Sequence, residues 1–406
     1  MTPSILQQLQ SRGVIFPLPE TVCVAPDVAP ENIAPGVTVH PGCRLSGNNL
    51  SIGPDCVIGR ETPATVNDCQ LGKGVELAGG FFESSTFLDG FKAGSGAHVR
   101  PGCLFEEESS IAHCVGVKQT VFMPWATAGS LINLCDCLLA GGTGRKNHSE
   151  VGSSYIHFNF TPHQDKATAS LIGDVPRGVM LDQPPIFLGG QGGLVGPCAI
   201  AYGTVIPAGQ IWRGDIREPS RLVAKSPVRG NLSAPYDPRV YHSIGRILTN
   251  NLLYIVNIMA LDLWYKVFRA KFMLGDPFRA ACHAGARQRL AQILEERVAR
   301  LAELADKVRL SLSLQKGGAA AIEQQAFVDH WPRIKAVLES RINARENAPV
   351  PDAVSACINK LPCDNYLKTV QGLDRPVAGQ LAGWLENFAR ESFSGLNRTP
   401  LDSPVS

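Results

Sequence analysis

His148, His157 and His163 fall in one short stretch of the sequence. A histidine titrates near neutral pH and can take the proton that an amine or hydroxyl must lose before it attacks a carbonyl. Beside them, residues 139–149 (LAGGTGRKNHS) form a Gly-rich, basic insertion. Its Arg145 and Lys146 could meet phosphate oxygens, one as a planar fork and the other as a point charge; a solvated basic loop is the alternative. Twelve cysteines are present. Five positions, Cys43, Cys56, Cys103, Cys198 and Thr204, share one place in a repeat described below and read as small buried residues. Cys135-Asp136-Cys137 is expected to alternate sides of a strand, which makes a poor chelate, so no metal is expected there.

The elements that must carry these side chains are set by a sixfold recurrence. Ile33, Val39 and Leu45 are each six residues after the last, and Ile52 and Ile58 continue after a slip. Val99, Phe105, Ile111, Val117 and Met123 form a second run, and Leu194, Ile200, Ile206 and Trp212 a third. Neither a helix nor a flat strand repeats at six. A three-sided coil does, with one short strand per side and one inward apolar residue per strand. Gly and Pro then mark corners, as in Ala34-Pro35-Gly36 and Arg100-Pro101-Gly102. The phase breaks at residues 79–95 and again at 139–149, and both are expected to be irregular loops, the usual place for ligands on a solenoid.

After Arg217-Glu218-Pro219 the pattern changes to helices over 238–275, 285–315, 318–346 and roughly 350–393. Leu290, Ile293, Leu294, Val298, Leu301 and Leu304 lie on one stripe. The expected architecture is a β-solenoid, a parallel β-helix of hexapeptide repeats, followed by an α-helical C-terminal domain. Its parts are an N-terminal helix and lead-in (1–30), the β-helix (31–216), a linker (217–237) and the helical domain (238–406). Part of the helical domain is expected to cap the last coil, or its helix 285–315 to pair between subunits.

A net charge of +2 with scattered Lys and Arg gives no footprint for nucleic acid. The most apolar run, Leu252 to Leu263, is too short to span a bilayer and is interrupted or flanked by Asn250, Asn251, Asn257 and Asp262. With no basic-then-apolar leader at the first residues, a cytoplasmic protein with reduced thiols and no membrane partner is expected.

The stretch from about 96 to 216 resembles the acetyltransferase half of the bifunctional UDP-N-acetylglucosamine pyrophosphorylase/glucosamine-1-phosphate acetyltransferase family. The resemblance implies a left-handed β-helix, a homotrimer and acetyl-CoA as donor to a sugar phosphate. The nucleotidyltransferase domain of that family has no counterpart in these residues. The family's Arg-Pro-Gly and the Lys eighteen residues after that Arg, which bind sugar phosphate, match Arg100 and Lys118. Its Ala-Gly-His-Leu, whose His is the general base, is matched by Ala128-Gly129-Ser130-Leu131. A sugar-contacting Tyr becomes Asn133, and a family Asn becomes Glu150. The Asn-Tyr-Asp-Gly loop resembles Asn159-Phe160-Thr161-Pro162, with Lys166 as the Lys that follows.

So the resemblance keeps the anion-binding residues and replaces the base. Serine needs a base of its own within hydrogen-bond reach. His148, His157 or His163 could supply it, while a silent corner residue is the plain reading of Ser130, since no Gly-x-Ser-x-Gly surrounds it. Arg145 and Lys146 would meet coenzyme A. Two alternatives stay open. One is a non-catalytic relative that binds a nucleotide sugar or acts as a scaffold. The other is a zinc hydratase like the γ-class carbonic anhydrases, with His157 and His163 stacked six residues apart.

Overall fold

The computed structural model describes residues 4–159, 166–224, 237–241, 243–315 and 317–396. After helix α1 (Ile5–Ser11), short parallel strands wind into a three-sided solenoid. Face 1 has ten strands, from Cys23–Val24 to Ile211–Arg213; face 2 has eight, from Ser51–Ile52 to Ala199–Ile200; face 3 has nine, from Thr38–Val39 to Val205–Ile206. Ile33, Val39, Leu45, Ile52, Ile58, Val99, Phe105, Ile111 and Val117 all point inward and are buried. The small-residue positions Cys43, Cys56, Cys103, Cys198 and Thr204 are buried as well. Burial lifts the thiols of Cys56, Cys103 and Cys198 to about 12, so they stay protonated.

Residues 79–95 are not a loop. They contain the strands Gly80–Glu83, Thr86–Phe87 and Lys92–Ala93, one regular coil. The phase is hidden because the step from face 1 to face 2 is here five residues, from Phe82 to Phe87, in place of six. The same short step runs from Val117 to Phe122, so Phe122, and not Met123, stacks on Phe105. A five-residue corner is tight, and one of its residues takes a positive φ: Ser84 (42°), Gln119 (48°) and Asp136 (58°). Inside the coils an aromatic ladder results, with Phe87 and Phe105 stacked at 5.4 Å and 5° and Phe105 edge-on to Phe122 at 5.3 Å. Asp136 at such a corner also corrects the reading of residues 135–137 as one strand.

Two insertions leave the edge between faces 2 and 3. One carries the antiparallel ribbon Gly142–Gly144 with Asn147–His148, and the other the short helix α2 (Val175–Gly178).

The C-terminal region contains α3 (Ile244–Trp264), a π-helical segment (Tyr265–Arg269), α4 (Ala270–Met273), α5 (Pro277–Leu314), α6 (Ala319–Ala344), α7 (Asp352–Lys360), α8 (Tyr366–Gln371) and α9 (Arg375–Phe393). These helices lie along the side of the coil. Helix α5 runs along face 2, against strands from Ser51–Ile52 to Leu104–Phe105, and α3 packs against Ser170–Ile172. The reason is the outward row of face 2. Leu104, Val121, Leu138 and Leu171 are apolar and buried beneath the helices. Burying one such side chain is worth about 1.5–3 kcal/mol. At Gly285 the helix lies so close to face 2 that a Cβ there would be 2.2 Å from Gln70 Oε1.

The polar residues that interrupt the apolar run of α3 are tethers. Asn251 Nδ2 donates to Ala167 O at 2.9 Å, Asn257 Oδ1 accepts from Val175 N at 2.8 Å, and Asn250 Nδ2 donates to Asp215 Oδ1 at 3.1 Å. Helix Ile244–Met273 is 30 residues long and apolar enough to cross a bilayer by composition, longer than the Leu252 to Leu263 core. Most of its apolar window is buried within the protein.

Candidate functional site

Face 1 is the wall that carries Arg100, Lys118 and Asn133. Its strands Ala97–Val99, Gly116–Lys118, Asn133–Cys135 and Ile156–Phe158 are consecutive rungs. Alternation along a strand sends Val99, Val117, Leu134 and His157 inward and their neighbours outward. Arg100, Lys118 and Cys135 therefore form one outward column at the edge toward face 2, with Lys118 opposite Cys135 in register. His98, Gly116 and Asn133 form the other outward column, toward face 3. Asn133, Asn159 and Lys166 are exposed.

The two cations of the first column are already engaged. Arg100 Nη2 donates to Cys135 Sγ at 3.2 Å. Lys118 Nζ lies 3.7 Å from Glu296 Oε1 on helix α5. Glu296 in turn holds Arg300 at 2.8 Å, and these cations keep its carboxyl below the usual range against the opposing effect of burial. Next to them Arg297 Nη2 donates to Asp136 Oδ1 at 2.8 Å and Nη1 to Lys166 O at 3.0 Å. Helix α5 thus forms one bank of this edge, which the sequence reading did not anticipate.

The opposite edge of face 1 holds Ser130. Its Oγ is 2.8 Å from His113 Nδ1, and its N–H donates to Ser153 Oγ at 3.1 Å. His113 is exposed, one coil before Ser130. It was missed from sequence because residues seventeen apart seem remote, whereas in a coil of that length they are stacked. The next corner residue, Leu131, takes φ 59° and fixes the turn.

The three proposed bases part company. His157 occupies an inward core position, in register with Leu194. Its Nδ1 is 2.7 Å from Cys135 O and its Nε2 2.9 Å from Ser170 Oγ, and burial lowers its pKa to about 4. It is a neutral core histidine with both nitrogens occupied, which corrects its assignment as a base and removes it as a zinc ligand. His148 is on the ribbon at the edge between faces 2 and 3, its Nδ1 2.8 Å from Arg145 O, away from Ser130 at the edge between faces 3 and 1. His163 lies outside the described residues, as do Phe160, Thr161 and Pro162.

Arg145 is exposed, yet its Nη1 clamps the carbonyls of Glu108 at 2.7 Å and Trp125 at 3.0 Å. It fastens the ribbon to face 3, with Lys146 exposed beside it. Glu150 lies on face 3, in register with Thr127 and Phe187, so it does not line the face 1 wall. Among the described residues no cluster of His, Cys, Asp or Glu has the makings of a metal site.

The stacked three-sided coil with its sixfold recurrence makes this a β-solenoid protein of the hexapeptide-repeat class. No family model matches the chain. Curated proteins named bifunctional protein GlmU match part of the chain. The protein from Pelobacter propionicus is 27% identical over 224 residues, 55% of this chain and 44% of that protein. That from Trichlorobacter lovleyi is 26% identical over 221 residues, 54% and 43%. That from Thermus thermophilus is 32% identical over 150 residues, 37% and 30%. The chain spans less than half the length of these relatives. The match agrees with the acetyltransferase half to which the sequence resemblance pointed.

Proposed function

We propose that the protein is an acyltransferase of hexapeptide-repeat type, moving an acetyl group from acetyl-CoA to a sugar phosphate or nucleotide sugar along face 1. The observation that carries this reading is the pairing of edges: Arg100 and Lys118 along one, His113 bonded to Ser130 along the other. Arg100 and Lys118 would take the phosphate. An amino group on the acceptor is mostly protonated at neutral pH, and His113 would remove its proton. If Nδ1–H is donated to Ser130 Oγ, Nε2 is left as the proton acceptor, which makes Ser130 the positioning residue. A homotrimer and a cytoplasmic location belong to the same reading. Because face 2 is covered by the chain's own helices, assembly would use faces 1 and 3, where Ile156, Ile211 and Phe187 are exposed.

The test is incubation with acetyl-CoA and glucosamine-1-phosphate, following free thiol and acetylated sugar. Turnover should fall about 10²-fold or more in His113→Ala. Absence of thioester cleavage with wild-type protein would sink the reading.

A second reading is favoured by one observation. Lys118 and Arg100 are held by Glu296 and Cys135, as suits a relative that binds a nucleotide sugar, or serves as a scaffold, without turnover. Tight sugar-nucleotide binding with no thiol release would select it. The zinc-hydratase alternative has lost His157 to the core.

A further inference from the structure

Away from face 1, a cavity of about 130 Å³ with both charged and apolar walls lies between the solenoid and the helices. One water occupies roughly 30 Å³ of the liquid, so there is room for a small molecule. Asp89 and Glu107 line it from the solenoid, Arg269 from the π-helical segment, and Arg279 and Tyr366 from α5 and α8. A π turn is a local widening often found at functional sites, and here it carries Arg269 to the cavity wall.

Arg269 is fully buried. Its Nη2 donates to Glu107 Oε1 at 2.5 Å, and its guanidinium carbon sits 3.8 Å from the centre of the Tyr366 ring. The Nε and Nη1 donors of Arg269 have no partner among the described residues, and neither does Glu107 Oε2. Buried donors and acceptors left unmade are costly, most of all on charged groups. The two demands are opposite in kind and lie on one ion pair. A ligand that carries an anionic acceptor and a cationic donor close together would meet both with charge-assisted hydrogen bonds. Asp89 and Arg279, 3.4 Å apart, present a second pair of charges to the same cavity.

We propose that this cavity binds a small zwitterion, an α-amino acid with a short side chain, its carboxylate on Arg269 and its ammonium on Glu107. The site is independent of the function proposed for face 1. It touches both layers, so occupancy would hold the helices to the solenoid and raise the melting temperature.

The experiment is calorimetry and thermal melting of the full chain with glycine, L-alanine and L-serine, with acetate and methylamine as the two halves. Saturable binding of at least one amino acid, with neither half binding comparably, is the expected result. Glu107→Gln, which keeps shape and removes charge, should weaken that binding about tenfold or more, the size of one hydrogen bond to a charged group. Three results overturn the proposal. They are no binding by any of the three amino acids, equal binding by either half, or affinity unchanged in Glu107→Gln. Should that variant not fold, Arg279→Gln at the same cavity replaces it, with a weaker affinity expected and an unchanged one overturning the proposal.

Discussion

Asp136 and Arg297 meet at 2.8 Å with almost no access to water, joining a tight corner of the solenoid to helix α5. Arg297 also donates to Gln119 Oε1 at 3.2 Å and to Lys166 O, so one guanidinium ties three segments of the coil. A buried pair of this kind adds little net stability over apolar neighbours, but losing one partner strands the other charge. Arg297→Met should therefore destabilise by about 3–5 kcal/mol. The double variant Arg297→Met with Asp136→Leu should recover much of that loss in denaturant melts.

Helix α5 also holds Lys118 through Glu296. This contact is partly exposed, so its removal should leave the melting temperature within a few degrees. Glu296→Ala should instead free a cation on face 1 and tighten binding of glucosamine-1-phosphate, read by calorimetry. Unchanged affinity would mean that Lys118 does not face the phosphate.

His157 gives the fold a signature in acid. Its pKa is about 4 in the folded chain because burial disfavours the charged form, against about 6.5 when unfolded. Between those values the unfolded state binds the extra proton, so stability falls as pH drops from about 6.5 toward 4. Glu106 acts in the opposite sense. Burial lifts its carboxyl to about 7 although Arg269 pulls it down, so the folded state holds the extra proton and stability falls as pH rises from about 4.3 to 7. The two windows overlap and their slopes oppose each other in the wild type, so urea melts across about pH 4–7 should show stability falling as pH rises in His157→Gln and falling as pH drops in Glu106→Gln.

The aromatic ladder is a third point of leverage. Phe105 is fully buried between Phe87 and Phe122. Phe105→Ala should cost about 3–5 kcal/mol, while Phe105→Leu, closer in volume, should cost less. Equal losses in the two would argue against tight packing at that rung.

Much of this was legible in the sequence. Sixfold recurrence is forced wherever an inward apolar residue sits once per side, and the stripe on α5 announced a helix with one buried face. The coil at 79–95 was not legible, because a five-residue corner shifts the phase and depends on a backbone conformation that Ser84 does not advertise. The helical cover was readable in principle. On face 2 apolar residues come in adjacent pairs, Leu104-Phe105, Val121-Phe122, Leu138-Leu139 and Leu171-Ile172, whereas on the middle rungs of face 1 they alternate with polar ones. A strand apolar on both sides must be covered on both. At the candidate site, the rung alternation puts Arg100 and Lys118 outward. His157 was misjudged because a polar side chain filled a core position, and its partners Cys135 O and Ser170 Oγ are set by the winding of the chain.

The run of α5 beside face 2 has a consequence for how this chain can change. Helix rise is 1.5 Å per residue and strand spacing about 4.8 Å, so each added rung corresponds to roughly three helical residues. Gly285 meets the rungs of Gln70 and Thr86, and Arg297 meets those of Asp136 and Lys166. A free solenoid tolerates gain or loss of a whole coil, since each coil touches only its neighbours. Here the helix acts as a splint notched at fixed intervals, and a coil inserted between those notches would throw every later one out of step. Length variation should be confined to the edge loops and to coils outside the splinted span.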